Sequence, residues 1–274
     1  MNIEQFTQII PSSERNLKRL MYLLKDTNSL PRIAVFGKYN HGKSTLLNAI
    51  VGHNKFKTAD KRETICNEDY EHDNVIWVDT PGLDADVHGD DDAAAMKGAF
   101  EVADFIFLVH QVTAGELDKY EMNVFQQLAK QDKNYRKKMF LILTQIDQKT
   151  PEDLAIIQQT IIHQLKNSMD LQELNVISVS ATRYLKGIHE SKPIFCERSG
   201  MADIFSRIEI LKKEIVALRK NEIIRLKSKL LIELDQAKKQ VMEDLSEYKY
   251  RLNSQYKYYQ QDIAQLISDV SARG

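Results

Sequence analysis

A glycine-flanked run from Gly37 to Ser44 carries the clearest chemistry in the sequence. It reads GKYNHGKS, and Thr45 and a helical pattern follow it. A tight loop at a helix N-terminus points backbone N–H groups inward, where they wrap a diphosphate. In such a loop Lys43 neutralises β- and γ-phosphate oxygens, and Ser44 offers its hydroxyl to Mg²⁺. The run therefore predicts a nucleoside triphosphate site formed by Gly37, Tyr39, Asn40, His41, Gly42, Lys43, Ser44 and Thr45.

A second run places a carboxylate where a metal-bound water would lie. The apolar run Val75–Val78 leads directly into Asp79, Thr80, Pro81 and Gly82. At the carboxyl end of a neighbouring strand, Asp79 can hold a water on Mg²⁺. The N–H of Gly82 reaches a γ-phosphate oxygen only when its loop closes, so we expect this loop to sense the third phosphate.

Two further runs indicate recognition of guanine. After residues 139–143 come Thr144, Gln145, Ile146 and Asp147. The Asp147 carboxylate can accept two hydrogen bonds from guanine, whereas adenine presents the wrong donors and acceptors there. After residues 176–179 come Ser180, Ala181 and Thr182, whose backbone N–H groups can meet the guanine carbonyl. An ATPase is the alternative that a change at Asp147 would test.

The elements that position these residues alternate in type. Five short apolar runs are predicted strands: Arg32–Phe36, Val75–Val78, Asp104–His110, Lys138–Leu143 and Val176–Val179. Helical spacing lies between them, in Lys43–Val51, Asp92–Glu101, Glu116–Gln131 and Pro151–Ser168. This alternation predicts an α/β fold, a mostly parallel sheet with helices on both faces. A weaker pattern near Ile65–Tyr70 suggests an added antiparallel strand.

Helical segments flank the predicted sheet domain of residues 31–200. Residues 1–30 read as an N-terminal helical arm, in which Pro11 interrupts and a second helix runs to about Lys25. Residues 201–274 read as one long amphipathic helix, because its apolar residues recur every 3.67 residues on average over residues 204–270. Such a stripe is unstable when exposed. We expect the arm to cover part of it, and self-association or another helical protein to cover the rest.

Composition narrows the function classes. With 43% apolar and 28% charged residues, disorder and membrane spans are poor interpretations. A net charge of −1 gives no reason to expect nucleic acid as a partner. Cys66 and Cys196 have no metal-ligand spacing, which fits unpaired thiols in a reducing cytoplasm. A tyrosine and lysine cluster at 248–259 suits helix packing better than a lipid surface, although peripheral membrane contact stays open.

The four motifs, in this order and each at a strand's carboxyl end, resemble the P-loop GTPases of the translation-factor, septation and dynamin class. The resemblance covers about residues 31–218. The helical arm and long helix are similar to those of bacterial dynamin-like proteins. The resemblance implies Mg²⁺-dependent binding of GTP and GDP, hydrolysis of GTP, and coupling of the nucleotide state to a helical stalk. The alternative is a nucleotide-gated assembly protein with little hydrolysis.

The resemblance also implies roles that motif matching alone does not. A threonine between residues 51 and 70 should meet Mg²⁺ and the γ-phosphate, and Thr64 is the first choice, with Thr58 in reserve. Asn40 matches the phosphate-loop asparagine that ligates K⁺ in cation-dependent members. The expected catalytic residues are Lys43, Thr64, Gly82 and Asn40, and the expected metal residues are Ser44, Thr64 and Asp79.

Two positions depart from the family pattern. Gln145 stands where a lysine stem usually stacks on the base, which predicts modest affinity. Leu83 stands where Ras-like enzymes place a water-orienting glutamine, so hydrolysis needs another donor, a cation or a partner. His41 and His88 are expected to be exposed loop histidines rather than catalytic groups.

Overall fold

A computed structural model describes residues 7–26, 30–56, 68–80, 101–131, 135–169 and 175–272. The strands are β1 (Arg32–Gly37), β2 (Glu68–His72), β3 (Val75–Asp79), β4 (Phe105–Gln111), β5 (Met139–Thr144) and β6 (Asn175–Ser178). The α-helices are α1 (Glu14–Lys25), α2 (Lys43–Val51), α3 (Lys119–Gln131), α4 (Tyr135–Lys138), α5 (Pro151–Met169), α6 (Ala181–His189), α7 (Pro193–Glu197) and α8 (Met201–Ser271). Short 3₁₀ helices span Pro11–Ser13, Val112–Ala114 and Ile146–Gln148.

The strands form one sheet in the order β2-β3-β1-β4-β5-β6. All neighbouring pairs are parallel except β2 with β3, which is antiparallel. This confirms the predicted α/β fold and its mostly parallel sheet. The antiparallel edge strand exists, but it covers Glu68–His72 rather than Ile65–Tyr70. Most of the predicted helix at 92–101 lies outside the described residues.

Both faces of the sheet are covered, because side chains alternate along each buried strand. On β4, Phe105, Phe107 and Val109 enter one core, and Ile106 and Leu108 enter the other. The first core also contains residues of α2 and the beginning of α8, and the second contains residues of α3 and α5. Helix α2, which follows the predicted phosphate loop, therefore packs in the same core as the beginning of α8, the longest helix.

Helix α3 begins at Lys119, not at the predicted Glu116. The Asp118 carboxylate accepts the N–H of Glu121 at 2.9 Å, and the Glu121 carboxylate accepts the N–H of Asp118 at 3.1 Å. This reciprocal pair is a capping box, which satisfies backbone donors that a helix N-terminus leaves without partners. The helix therefore begins three residues later than predicted, because the capping box of Asp118 and Glu121 sets its start.

The chain divides into two compact units, and the first comprises Lys25–Lys220. It holds the sheet and the beginning of α8. Within it Asp104 is fully buried and accepts hydrogen bonds from Arg219 Nε at 3.0 Å and from the Arg32 N–H at 2.9 Å. Since a buried carboxylate is stable only when paired, this network ties α8 to the amino ends of β1 and β4.

The second unit comprises Met1–Leu24 and Asn221–Gly274. Leu20 and Leu23 of α1 pack against Leu226 and Leu230 of α8, as the apolar stripe predicts. Beside them a buried ion pair joins Arg19 Nη2 to Glu222 Oε2 at 3.1 Å. Beyond Leu230 the apolar side chains of α8 are exposed in this chain; they include Leu231, Val241, Leu245, Leu252, Ile263 and Val270.

No helix in the described part of the chain is both long enough and apolar enough to cross a bilayer.

Candidate nucleotide site

The phosphate loop runs from the end of β1 at Gly37 to the start of α2 at Lys43. Gly42 adopts φ +88° just before the helix, and its carbonyl accepts the first helical hydrogen bond from Leu46 at 2.8 Å. The N–H groups of the first helical turn consequently have no acceptor within the helix. With the positive end of the helix dipole, they form a site suited to phosphate.

The ammonium group of Lys43 lies over the loop. It is buried and donates hydrogen bonds to the carbonyls of Gly37 at 2.8 Å and Lys38 at 2.9 Å. The two carbonyl dipoles hold the cation beside the loop. A phosphate that enters the loop would meet a positive charge there.

Strands β1 and β4 lie very close to each other at Gly37, where the phosphate loop begins. A Cβ atom on Gly37 would lie 2.3 Å from the carbonyl oxygen of Val109 on β4, far inside contact distance. These two residues are partners in the β1–β4 register. Glycine at the start of the motif is thus required by the packing of the sheet itself.

Asp79 ends β3 next to the phosphate loop. Its register partner is Val35 of β1, and the following Thr80 is buried and donates its hydroxyl to the Val35 carbonyl at 2.7 Å. This bond anchors the chain as it leaves the sheet. Ser44 and Asp79 are half-buried and offer a hydroxyl and a carboxylate oxygen, which are the donors that Mg²⁺ prefers. Gly82, Thr64 and Thr58 lie outside the described residues, as do Leu83 and His88.

The predicted base-recognition loop is attached to the phosphate loop. At the end of β5 the hydroxyl of Thr144 donates to the His41 carbonyl at 2.7 Å. Gln145 adopts φ +61°, and its amide group donates to the Asn40 carbonyl at 3.3 Å and to Gln111 Oε1 at 3.0 Å. The Gln145 amide thus ties two loops together. The place of Gln145 in the sequence motif does not indicate this role.

We expect Thr144→Val to lower the free energy of unfolding by about 1–2 kcal/mol, because the variant keeps the shape but leaves the buried His41 carbonyl without this donor. Urea unfolding measures the change. Thr160→Val is the matched control, since the Thr160 hydroxyl bonds its own helix at an exposed site. Equal stability of the wild type and Thr144→Val would show that this bond does not hold the loops together.

Asp147 lies in the 3₁₀ turn that follows β5, and its side chain is exposed. The turn is joined to the residue that follows β6, since the N–H of Ile146 donates to the Val179 carbonyl at 3.4 Å. Ser180 caps α6 through its hydroxyl, which accepts the N–H of Arg183 at 3.0 Å. The N–H of Ser180 donates to the Ser199 carbonyl, so Ala181 and Thr182, in the first turn of α6, are the better placed donors for a base carbonyl.

The expectation that His41 is an exposed loop histidine is wrong. Its side chain is 5% exposed and lies edge-on to His110 of β4, with ring centroids 5.3 Å apart. Burial lowers the pKa of His41 to about 4, so the imidazole is neutral near pH 7. Sequence reasoning also missed His110 and Glu121, although His110 stands near the carboxyl end of a strand and the capping pattern marks Glu121.

Comparison with known proteins agrees with this geometry. Residues 32–145 match the model of the 50S ribosome-binding GTPase family. An uncharacterised protein of Acinetobacter baylyi is 38% identical over 244 residues, which is 88% of this chain and 55% of that protein. GTPase Era of Lactobacillus helveticus is 27% identical over 212 residues, which is 70% of this chain and 66% of Era. The chain thus spans between about half and two thirds of these relatives' lengths.

Among solved structures, a chain of an oligomerised bacterial dynamin pair aligns with 95% of this chain and 50% of its own length. The TM-score is 0.56 and the sequence identity is 17%, which is evidence for a shared fold alone. The motifs, the sheet and the family match together identify the chain as one that contains a P-loop GTPase domain, with a fold similar to that of bacterial dynamins.

Proposed function

We propose that this domain binds Mg²⁺·GTP and hydrolyses it to GDP and phosphate. The observation that carries the proposal is the buried Lys43 ammonium, held over the phosphate loop by two loop carbonyls beside the amide groups of α2. The work of such a site is positioning and charge neutralisation rather than covalent chemistry.

Each side chain has a defined task in this proposal. Lys43 binds β- and γ-phosphate oxygens, and the N–H groups of the loop orient the diphosphate. Ser44 and Asp79 would hold Mg²⁺, directly and through a water, and the bound ion neutralises charge on the phosphates. Thr64 and Gly82 are proposed to contact the γ-phosphate. Asp147 and Ala181 select guanine.

Helix α8 is the proposed output. Its residues Met201, Ile204 and Ile208 lie in the same core as Leu46 and Leu47 of α2. Helix α2, which follows the phosphate loop, thus shares one core with the beginning of α8, and this core is the proposed route by which a rearrangement of the γ-phosphate loops reaches α8. Release of the γ-phosphate is proposed to relax those loops and shift this helix.

The second candidate is a nucleotide-gated assembly protein with little turnover. Leu83 favours it, because an apolar side chain cannot align the attacking water. Asn40 favours hydrolysis: it is exposed, adopts φ +61° in the phosphate loop, and matches the asparagine expected to ligate K⁺.

The two candidates predict different single-turnover kinetics. We expect GTP hydrolysis to be about tenfold or more faster in K⁺ than in Na⁺, since one cation near the developing charge is worth at least ~1.4 kcal/mol. The rate should also rise with protein concentration if a second copy completes the site. Asn40→Ala should remove the K⁺ effect, with Asn74→Ala as the matched control at another residue with positive φ. No hydrolysis under any of these conditions would support the assembly protein.

Self-association through residues 201–274 is proposed for the outer part of α8. Its exposed apolar stripe needs a cover, and the dynamin pair of similar fold is described as oligomerised. Sedimentation velocity of the full chain, with GDP, with a non-hydrolysable GTP analogue, and with or without liposomes, measures this. A monomer in every condition would refute self-association, and sedimentation with liposomes alone would favour a membrane surface.

A further inference from the structure

Three titratable side chains from separate elements meet beneath the phosphate loop. They are His41 of the loop, His110 of β4 and Glu121 of α3, and their exposed fractions are 5%, 1% and 7%. One nitrogen or oxygen atom from each lies within 4.8 Å of the others. The proposed phosphate site uses the backbone of His41, but neither it nor the recognition of guanine uses these three side chains.

The hydrogen bonds of His110 indicate a positive charge between its Nδ1 and Glu121 Oε1. His110 Nε2 lies 3.0 Å from the Gly115 carbonyl, which can only accept, so Nε2 carries a proton. Its other nitrogen, Nδ1, lies 2.7 Å from Glu121 Oε1. When neutral His110 carries its proton on Nε2, its Nδ1 and the Glu121 Oε1 atom both present lone pairs to each other. A proton or a metal cation must therefore lie between them.

The Nδ1 atom of His41 is the third atom of the cluster that can bind a cation. Its Nδ1 is buried and has no hydrogen-bond partner among the residues that the structure describes. That atom lies 3.4 Å from the same Glu121 Oε1. A buried polar atom without a partner destabilises the fold, so the arrangement calls for a ligand at this point.

The groups behind the cluster resemble the outer shell of a metal site. The Gly115 carbonyl fixes the tautomer of His110, and the Asp118 N–H holds the second oxygen of Glu121 at 3.1 Å. Metal-bound histidines and carboxylates are usually oriented in this way. Tetrahedral Zn²⁺ with bonds of about 2.0–2.1 Å separates its ligand atoms by roughly 3.3 Å. Glu121 Oε1 lies 2.7 Å from His110 Nδ1 and 3.4 Å from His41 Nδ1, so these two separations lie on either side of that value.

We propose that His41 Nδ1, His110 Nδ1 and Glu121 Oε1 bind a divalent first-row transition metal, with Zn²⁺ the best chemical match. Two imidazole nitrogens and one carboxylate oxygen suit Zn²⁺ and do not suit Mg²⁺, which prefers oxygen ligands. The three residues leave a fourth position for water. Such an ion joins the phosphate loop to β4 and to the N-terminus of α3, and its binding requires no nucleotide.

The test uses the full chain without a histidine tag, stripped of metal by a chelator and kept in excess Mg²⁺ without nucleotide. Co²⁺ is titrated as a spectroscopic probe, and Zn²⁺ is then added to displace it. We expect one equivalent of Co²⁺ to produce the visible absorption of a tetrahedral nitrogen and oxygen site. We also expect one equivalent of Zn²⁺ to raise the Tm of the wild type, a readout that needs no variant.

Variants locate the ion. His41→Ala and Glu121→Gln should each weaken Co²⁺ binding at least tenfold. The matched control is His53→Ala/His72→Ala, which removes a second close pair of histidines in the described part of the chain, with ring centroids 6.5 Å apart. This control should bind as the wild type does. Circular dichroism checks that each variant is folded.

Two outcomes would overturn the proposal. The first is a folded wild type that shows neither absorption with excess Co²⁺ nor a Tm rise with Zn²⁺. The second is binding that survives Glu121→Gln but disappears in the His53→Ala/His72→Ala variant. Either result can be obtained whether or not the chain binds GTP, so this test is separate from that of the proposed function.

Discussion

Asp147→Asn will lower the affinity for GTP by about 10²–10⁴-fold and raise the affinity for xanthosine triphosphate. The carboxylate is expected to accept two hydrogen bonds from guanine, and bonds to a charged group are worth about 1.5–3 kcal/mol each. An asparagine amide instead offers N–H groups to the extra carbonyl of xanthine. Calorimetry with GTP, xanthosine triphosphate and ATP measures the exchange.

The control for this substitution is Asp153→Asn, an exposed carboxylate in the first turn of α5. It removes the same charge a few residues along the chain and should leave GTP affinity unchanged. If the wild type binds ATP as tightly as GTP, and Asp147→Asn changes neither affinity, then the recognition of guanine through this residue is wrong. The ATPase alternative would then replace it.

Lys43→Ala will reduce the affinity for GTP, and any hydrolysis rate, by about 10²–10³-fold. The variant removes the buried cation that the carbonyls of Gly37 and Lys38 hold over the loop. Removing one preorganised group that stabilises phosphate charge commonly has an effect of this size. The effect should be larger for GTP than for GDP, because Lys43 is expected to contact the γ-phosphate. Nucleotide titration of both proteins measures the difference.

The structural cost of that substitution must be measured alongside. Lys43→Ala leaves two loop carbonyls without a donor, so the urea unfolding curve of the variant is part of the experiment. Lys213→Ala is the matched control, since Lys213 is an exposed lysine on α8. A folded Lys43→Ala protein that binds GTP as the wild type does would contradict the assignment of the phosphate loop.

The sheet could be predicted from sequence because its signals are local. Short β-branched runs such as Val75–Val78 and Met139–Leu143 are bounded by turn residues, and helical spacing lies between them. Helix α2 was predicted with its observed bounds because Gly42 and Gly52 flank it. Helix α3 was misplaced at its start because its capping box, Asp118 with Glu121, was not used.

The positions of the motif residues in the fold could be predicted for the same reason. Its motif residues follow strand ends, and parallel strands bring their carboxyl ends to one edge of a sheet. The contacts between motifs could not be predicted. The bonds from Thr144 to the His41 carbonyl and from Gln145 to the Asn40 carbonyl join residues more than a hundred positions apart. No local pattern encodes such distances.

The sequence alone indicates the residues of the phosphate loop, the alternation of strands and helices and the amphipathic character of α8, since each depends on neighbours within a few residues. The tertiary structure decided which of these residues are buried and what they face. His41 shows the difference, because burial against β4 and α3 lowers the pKa of this loop residue and keeps its imidazole neutral, although the nearby Glu121 carboxylate acts in the opposite direction. Burial and partner choice come from long-range packing, and they set the charge state and the available lone pairs on which function depends.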